Sequence, residues 1–334
     1  MAGAFGGAVL LMVWGAGLAS RDRRAGQAPI VADVPLRLMP DLAFPAVAGL
    51  TPLVTSPDDH YTVDINLARP RVDGGGWRLS IDGLVRDVKR LAFSDLLALE
   101  TREMPIHLHC ISNIVAGDLM GNATWVCVSL GDVIDLAGPE AGWSTMIVDA
   151  ADGYRGTLTP DEVPGAWLAV GMGGAELPDD HGFPVRLLLP GRYGMRSVKW
   201  VTGLRLVPGN VESYWAERGW DAVAPLRTGS RIDVPEGGTE FDGTVTLAGL
   251  AWAAHGVERV ELSHDGGASW SVASLEKAAG PLAWRRWHFA AELPPGEYEY
   301  AVRAVSGGLV QDQEPRPPHP SGASGYHRRT VRVR

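Results

Sequence analysis

The chain has 334 residues, 46% hydrophobic and 21% charged, with a net charge of -9. That length accommodates two domains, and the composition is that of a globular protein, which argues against a disordered chain. The negative balance argues against a nucleic-acid partner, which needs a basic face; any anionic ligand must be met by locally placed cations, and lysine occurs only at Lys89, Lys199 and Lys277.

Residues 2–19 are almost wholly apolar or small and are followed by Arg21-Asp22-Arg23-Arg24. A run of about 20 such residues can cross a bilayer, and no positive charge precedes it as a cleavable signal peptide requires. Residues 1–20 are therefore expected to be a transmembrane anchor, single or last in its series, with a buried helical hairpin or a mis-assigned start as the alternatives. The flanking arginines place the following domain on the cytoplasmic face by the positive-inside rule. Residues 21–50, rich in proline, alanine and small residues without a sustained period, form a linker.

A domain of mixed short elements is expected over 51–228. Trp77 to Val85 alternates like an edge strand, with Asp82-Gly83 as a turn, and Ser94 to Glu100 is a short helix with Ser94 as N-cap. Ile106 and Leu108 then alternate with His107 and His109, the period of a strand, so Cys110 sits where a strand gives way to the polar loop Ile111-Ser112-Asn113. A thiolate there suits a soft metal centre; the plainer alternative is a small buried hydrophobe. Cys127, inside Trp125-Val126-Cys127-Val128, is expected to be inert core, and a Cys110–Cys127 disulfide would consume the candidate ligand. Ser129 caps a second short helix that Gly138 ends, Thr159-Pro160-Asp161-Glu162 starts another, and Trp167 to Met172 and Val185 to Leu189 are buried strands separated by a turn at Pro178-Asp179-Asp180. Without a βαβ rhythm, the class is α+β. From 229 to 334 the alternation becomes all-β, as in a β-sandwich. Ser263-His264-Asp265-Gly266-Gly267-Ala268-Ser269-Trp270 has the residues of a tight turn over a packed tryptophan, a structural feature.

Two stretches carry a resemblance. Cys110-x-x-Asn113, with Gly117-Asp118-Leu119-x-Gly121-Asn122-x-x-Trp125, resembles the molybdenum-ligand segment of the sulfite oxidase family. His181-Gly182-Phe183-Pro184-Val185-Arg186, with Pro190-Gly191-x-x-Gly194-x-Arg196-Ser197-Val198-Lys199-Trp200, is similar to its pterin-phosphate clamp. The resemblance implies a molybdenum-molybdopterin cofactor with Cys110 as metal ligand, two-electron oxygen-atom transfer, and an immunoglobulin-like C-terminal domain that mediates homodimerisation. It implies cofactor contacts from Asp58, Tyr61 and Thr62 in a first loop, and from Asp152, His181, Arg186, Ser197, Val198 and Lys199. It also implies a catalytic tyrosine at Tyr214. Turn formation at Asp152, core packing at Tyr61 and Tyr214, and a structural imidazole at His181 are the competing roles.

The departures bear on substrate and partners. Where sulfite oxidases place arginines in the first loop and after the asparagine, this chain has Asp58, Asp59 and His60, then Ile114 and Val115. Arg196 and Arg192 lie on another loop. A sulfite dianion loses most of its attraction in such a pocket, so a less charged small-molecule oxo donor or acceptor is expected. No haem-attachment motif is present, so electrons must pass to or from a separate electron-transfer protein or a membrane carrier. The alternative is a non-catalytic cell-surface or assembly protein that retains the cofactor domain as a scaffold.

Overall fold

Thr101–His109 and Met120–Ser129 pair antiparallel along their whole length, with His109 opposite Met120 and Thr101 opposite Val128. In the computed structural model, which describes residues 32–36, 38 and 41–334, this pair is one side of a five-stranded sheet. Trp167–Met172 joins Met120–Ser129, and Ala175–Glu176 and Arg186–Leu188 both pair with Trp167–Met172. Ile106 and Leu108 pack with Trp125, Cys127 and Leu188. Alternation in an antiparallel strand ordinarily marks one wet face, yet His107 and His109 are also buried. Trp252 and Trp284 from the C-terminal half cover them, with ring centroids 5.0 to 6.0 Å from the imidazoles.

The second sheet of this half runs Lys89–Leu91, Leu79–Gly83, Val201–Val207, Thr145–Ala150, Arg155–Leu158. Leu79–Gly83 is an inner strand, not the expected edge: it pairs antiparallel with Lys89–Leu91 and parallel with Val201–Val207. Gly83 has φ of +89°, and a Cβ there would lie 2.1 Å from the Leu206 carbonyl oxygen, so only glycine fits this turn. The main core, from Leu79, Ile81 and Leu96 to Val198 and Leu206, lies beneath this sheet.

The α+β expectation gives way to a mostly β structure. Among the described residues the α-helices are Phe93–Leu97 and Leu130–Asp135, and short 3-10 turns follow later in the chain. Five or six residues cannot present a buried stripe of several turns, so end contacts and single buried side chains hold such helices. The first begins one residue before the expected cap: Ala92 is the N-cap and Asp95 accepts from its backbone N at 2.8 Å. The second is capped as expected, with Ser129 Oγ accepting from Asp132 N at 3.3 Å. The Thr159 turn forms as a 3-10 segment, Pro160–Gly165.

In the C-terminal half a four-stranded sheet (Gly229–Val234, Thr244–Trp252, Arg285–Glu292, Ser274–Leu275) faces a second one. The latter orders Glu240–Phe241, His327–Val333, Gly296–Ser306, Arg259–Ser263, Ser271–Val272, with Leu309–Val310 on the side of Gly296–Ser306. Val245, Leu247 and Trp287 from one sheet meet Val260, Tyr300, Val302 and Val331 from the other, forming a closed two-sheet core. The 263–270 turn is structural: Asp265 Oδ1 accepts from Ser269 N at 3.0 Å, and Trp270 donates to the Gly267 carbonyl at 3.1 Å.

The run at 2–19, expected to anchor the chain, lies outside the described residues; among the described ones no helix is long and apolar enough to cross a membrane. The described part of the 21–50 segment is tied to both halves. Asp33 and Thr101 exchange hydrogen bonds of 3.0 and 3.2 Å, and Asp41 accepts from Lys277 N at 2.8 Å.

Candidate active site

Cys110 is the first residue past the strand Thr101–His109, and its loop is closed by backbone and side-chain hydrogen bonds. Cys110 N donates to the Leu119 carbonyl at 2.9 Å, and Asn113 N donates back to the Cys110 carbonyl at 3.0 Å. Asn113 Oδ1 accepts from Leu119 N at 3.2 Å, which leaves Nδ2 to the Gly117 carbonyl at 3.3 Å and His109 Nε2 at 3.1 Å. A Cβ on Gly117 would lie 2.2 Å from Asn113 Oδ1, so the glycine lets the loop close on the amide. The spacing of the Cys-x-x-Asn motif is thus the spacing of a folded loop. Burial pushes the Cys110 thiol pKa up, opposed by Ser112, whose hydroxyl lies 2.9 Å from Sγ. A thiol held this way ionises readily only beside a positive partner such as a metal ion. Both cysteines are free, and burial raises the pKa of Cys127, which is fully buried within its strand.

Cys110 lies on the wall of a cleft. Tyr61, Thr62 and Asp64 come to it from the loop before the first strand, Asp152 and Tyr154 from the turn between two strands, and Arg186 from a short buried strand. Gly194, Met195, Ser197, Val198 and Lys199 come from the loop after that strand, and Trp215 and Trp220 from the segment that leads to the C-terminal half. A Cβ on Gly194 would lie 2.4 Å from the Tyr61 hydroxyl, so this glycine admits the tyrosine to the wall.

The charges of the cleft are unequal. Arg186 is 6% exposed, and its Nε is buried without a hydrogen-bond partner among the described residues. Its guanidinium stands 5.4 Å over Trp125 and reaches only the His181 carbonyl, at 3.4 Å. Burial lowers its pKa, yet arginine stays charged. Lys199 is paired with Asp64 and also donates to the Asp180 carbonyl at 3.1 Å. Burial pulls the lysine down to about 8 against the pull of Asp64. Arg69 shares Asp64 at 2.8 Å and reaches Asp180 at 2.6 Å. Among the described residues Asp64 bonds to Lys199 and Arg69, and Asp180 to Arg69, so Arg186 feels Asp64 only through space and no carboxylate hydrogen-bonds it; a buried guanidinium so placed is well matched to an added anion. Burial raises the Asp152 pKa, and Asp152 Oδ1 also closes its own turn by accepting from Tyr154 N at 2.9 Å.

Eight of the eleven residues singled out in the sequence therefore line one cleft, and three do not. Asp58 is exposed, on a turn that Ser56 and Asp59 close with a hydroxyl–carboxylate bond of 2.6 Å, and that turn points both acidic residues to solvent. His181 is buried behind the wall, with Nε2 2.8 Å from the Pro57 carbonyl; that bond places the proton on Nε2, and burial with the nearby Arg186 holds the ring down to about 4. Tyr214 packs between Tyr154 and Trp215, 5.5 and 5.1 Å away, with the Arg218 guanidinium 3.5 Å over its ring. Its neighbours Trp215 and Trp220 reach the cleft instead.

The residues that departed from the family pattern also separate. Ile114 and Val115 face a second, smaller cavity between the halves, with Tyr193, Arg227 and Trp252. His60 is buried against Tyr61, its pKa lowered well below the usual value by burial. Arg196 is committed to Glu162 at 2.7 Å and to the Thr157 and Ala222 carbonyls, and Arg192 lies 3.5 Å from the same Glu162. Asp64, Tyr154, Trp215 and Trp220 were not found from sequence: Asp64 stands two residues past the loop that was singled out, and no motif marks an aromatic that lines a wall rather than a core.

Residues 66–215 match a model described as the oxidoreductase molybdopterin binding domain, and residues 226–315 match the Mo-co oxidoreductase dimerisation domain. Mitochondrial sulfite oxidase of Macaca fascicularis is 31% identical over 319 residues, covering 80% of this chain and 58% of the relative. The Homo sapiens protein of that name is 29% identical with the same coverage. The chain thus spans less than two thirds of the length of these relatives. In fold it is similar to the sulfane dehydrogenase SoxCD from Paracoccus pantotrophus, with a TM-score of 0.73 and 24% identity over 82% of this chain and 80% of that one.

Proposed function

The chain belongs to the sulfite oxidase family of molybdopterin-dependent oxidoreductases, and on that premise we propose that it performs two-electron oxygen-atom transfer at the Cys110 cleft. The observation that carries this is the pairing, in one cleft, of a thiol at the end of a rigid strand with a buried guanidinium whose Nε has no hydrogen-bond partner among the described residues. The residues fit a molybdopterin: a thiolate suits molybdenum, and Arg186 and Lys199 suit a phosphate, as a fork and a point charge.

When bound, the molybdenum centre supplies a two-electron redox couple for oxygen-atom transfer. Cys110 ligates and the Asn113 loop fixes its direction. Arg186, Lys199 and Ser197 hold the cofactor's phosphate, with Asp64 and Arg69 orienting the lysine. Tyr61 lies against the cleft with its hydroxyl pKa raised by burial, so it stays protonated and would be a donor toward a bound cofactor. Tyr154 spends its proton on the Met195 carbonyl at 2.6 Å and shapes the wall.

The substrate reading keeps its conclusion on changed grounds. Asp58, Asp59, Ile114 and Val115 do not line the cleft, so they do not decide it. What disfavours sulfite is that Glu162 consumes Arg196, while Met195, Trp215 and Trp220 present apolar and aromatic surface. An uncharged S-oxide or N-oxide suits such a wall better than a dianion. The match to a dimerisation domain supports a homodimer; an immunoglobulin-like form for that domain and a separate electron-transfer protein or membrane carrier are part of the same proposal. Residues 2–19 are proposed to anchor the chain to a membrane.

Molybdenum-loaded protein should reduce uncharged S-oxides and N-oxides with an artificial donor more readily than it oxidises sulfite, with a high KM for sulfite. Efficient sulfite turnover at low substrate would reject the substrate assignment; absence of molybdenum from protein made in a cofactor-competent host would reject the reading as a whole.

A further inference from the structure

The cysteine loop is held from the other half of the molecule by one arginine. Arg231, on the strand Gly229–Val234, is 8% exposed. Its Nε donates to Asp233 Oδ1 at 2.6 Å and its Nη2 to Thr51 Oγ1 at 3.0 Å, while Nη1 reaches the Gly117 carbonyl at 3.0 Å and Asp118 Oδ1 at 2.9 Å. Asp233 is itself buried and accepts from Thr51 N at 3.3 Å. One planar group thus joins the C-terminal sheet, the Cys110 loop and the chain that enters the Tyr61 loop.

The bonds differ in weight. The Asp118 carboxylate is 82% exposed, so that pair is screened by solvent. The bond to the Gly117 carbonyl is partly buried, and this oxygen also accepts Asn113 Nδ2. From there the connection to Cys110 is short: Asn113 Oδ1 holds Leu119 N, and the Leu119 carbonyl holds Cys110 N. Arg231 therefore sets the carbonyl on which the Asn113 amide orients.

We propose that Arg231 is a positioning residue for the Cys110 thiol, so that the C-terminal domain builds part of the active site and is more than a dimerisation appendage. The inference rests on the molybdopterin reading for its catalytic meaning, but the geometry it asserts belongs to the protein alone. Lysine at 231 keeps the charge and loses the fork that spans three segments; asparagine at 233 keeps the shape and loses the carboxylate that orients the guanidinium.

The test is the rate at which iodoacetamide alkylates Cys110 in cofactor-free full-length protein, read by mass spectrometry, with the fully buried Cys127 as an internal reference. Loosening the loop raises the population in which the thiol is reachable. Loss of charged hydrogen bonds of this kind should speed Cys110 labelling by about tenfold in Arg231→Lys, and by a smaller factor in Asp233→Asn. Cys127 should stay unlabelled, which shows the fold intact. In molybdenum-loaded Arg231→Lys, the spread of molybdenum–sulfur distances seen by X-ray absorption should widen. Wild-type labelling rates in both folded variants, even with a lowered unfolding midpoint, would show an interdomain contact with no hold on the thiol, and would overturn the proposal. Should Arg231→Lys not fold, Asp233→Asn decides in the same way. Failure of the molybdopterin reading is seen separately, as wild-type protein without molybdenum.

Discussion

Arg186 and Lys199 differ in a way that separates their variants. Arg186 is charged and no carboxylate hydrogen-bonds it among the described residues, so a phosphate gains most of its attraction, whereas Lys199 must share itself between the phosphate and Asp64. Charge-assisted bonds are worth about 1.5–3 kcal/mol, so Arg186→Ala should lower cofactor occupancy by about tenfold or more and Lys199→Ala by less. Full loading of both variants under limiting cofactor would show that neither holds the phosphate. Lys199 adds a pH dependence. Its pKa in the folded protein is near 8, below the ordinary lysine value of 10.5, so between those values the unfolded chain binds the extra proton and this residue's penalty on folding fades as pH rises. Phosphate binding has the opposite sense, because it needs the ammonium form. Uptake of cofactor by the empty protein should therefore weaken as pH rises through about 8 in the wild type and lose this step in Lys199→Ala. A flat wild-type profile from pH 7 to 9 would contradict the assignment.

At the scale of elements, the glycine of the Pro190–Trp200 loop offers the sharpest probe. Gly194→Ala would place a methyl 2.4 Å from the Tyr61 hydroxyl, so the tyrosine must leave the wall. Cofactor content should fall while the unfolding midpoint changes little, since neither residue lies at the centre of the main core; unchanged content would mean that Tyr61 is not part of the cofactor's wall. The same scale shows what the sequence could and could not disclose. Alternation through Ile106 to His109 and the polar residues after it were enough to place Cys110 at a strand-to-loop junction, because both signals are local. That the histidine face is buried could not be read there, since Trp252 and Trp284, which cover it, lie more than a hundred residues on. Leu79–Gly83 reads as an edge for the same reason: its parallel partner Val201–Val207 is distant in sequence. Tyr214 was set in the site by resemblance, but in a run of tyrosine and tryptophan, packing alone decides which ring faces the cleft. Position in a loop implies a contact for Asp58, but the Ser56 turn sends it outward.

At the scale of the whole molecule, the site is assembled from both halves and from the segment that precedes them. Thr51 and Arg231 bind each other across the chain, and Trp284 donates to the Leu53 carbonyl at 2.8 Å. A chain beginning near Gly26 keeps all of these contacts, so it should bind cofactor and stay in solution, whereas the full chain should resist a carbonate wash of membranes. Release of the full chain into the wash would show that residues 2–19 are not an integral anchor. The central claim is that Cys110 ligates molybdenum at this cleft, and X-ray absorption at the molybdenum edge tests it most directly. Cys110→Ser should show one sulfur neighbour fewer than the wild type and lose turnover while remaining folded, and Cys127→Ser should match the wild type; a Cys110→Ser spectrum identical to that of the wild type would contradict the account.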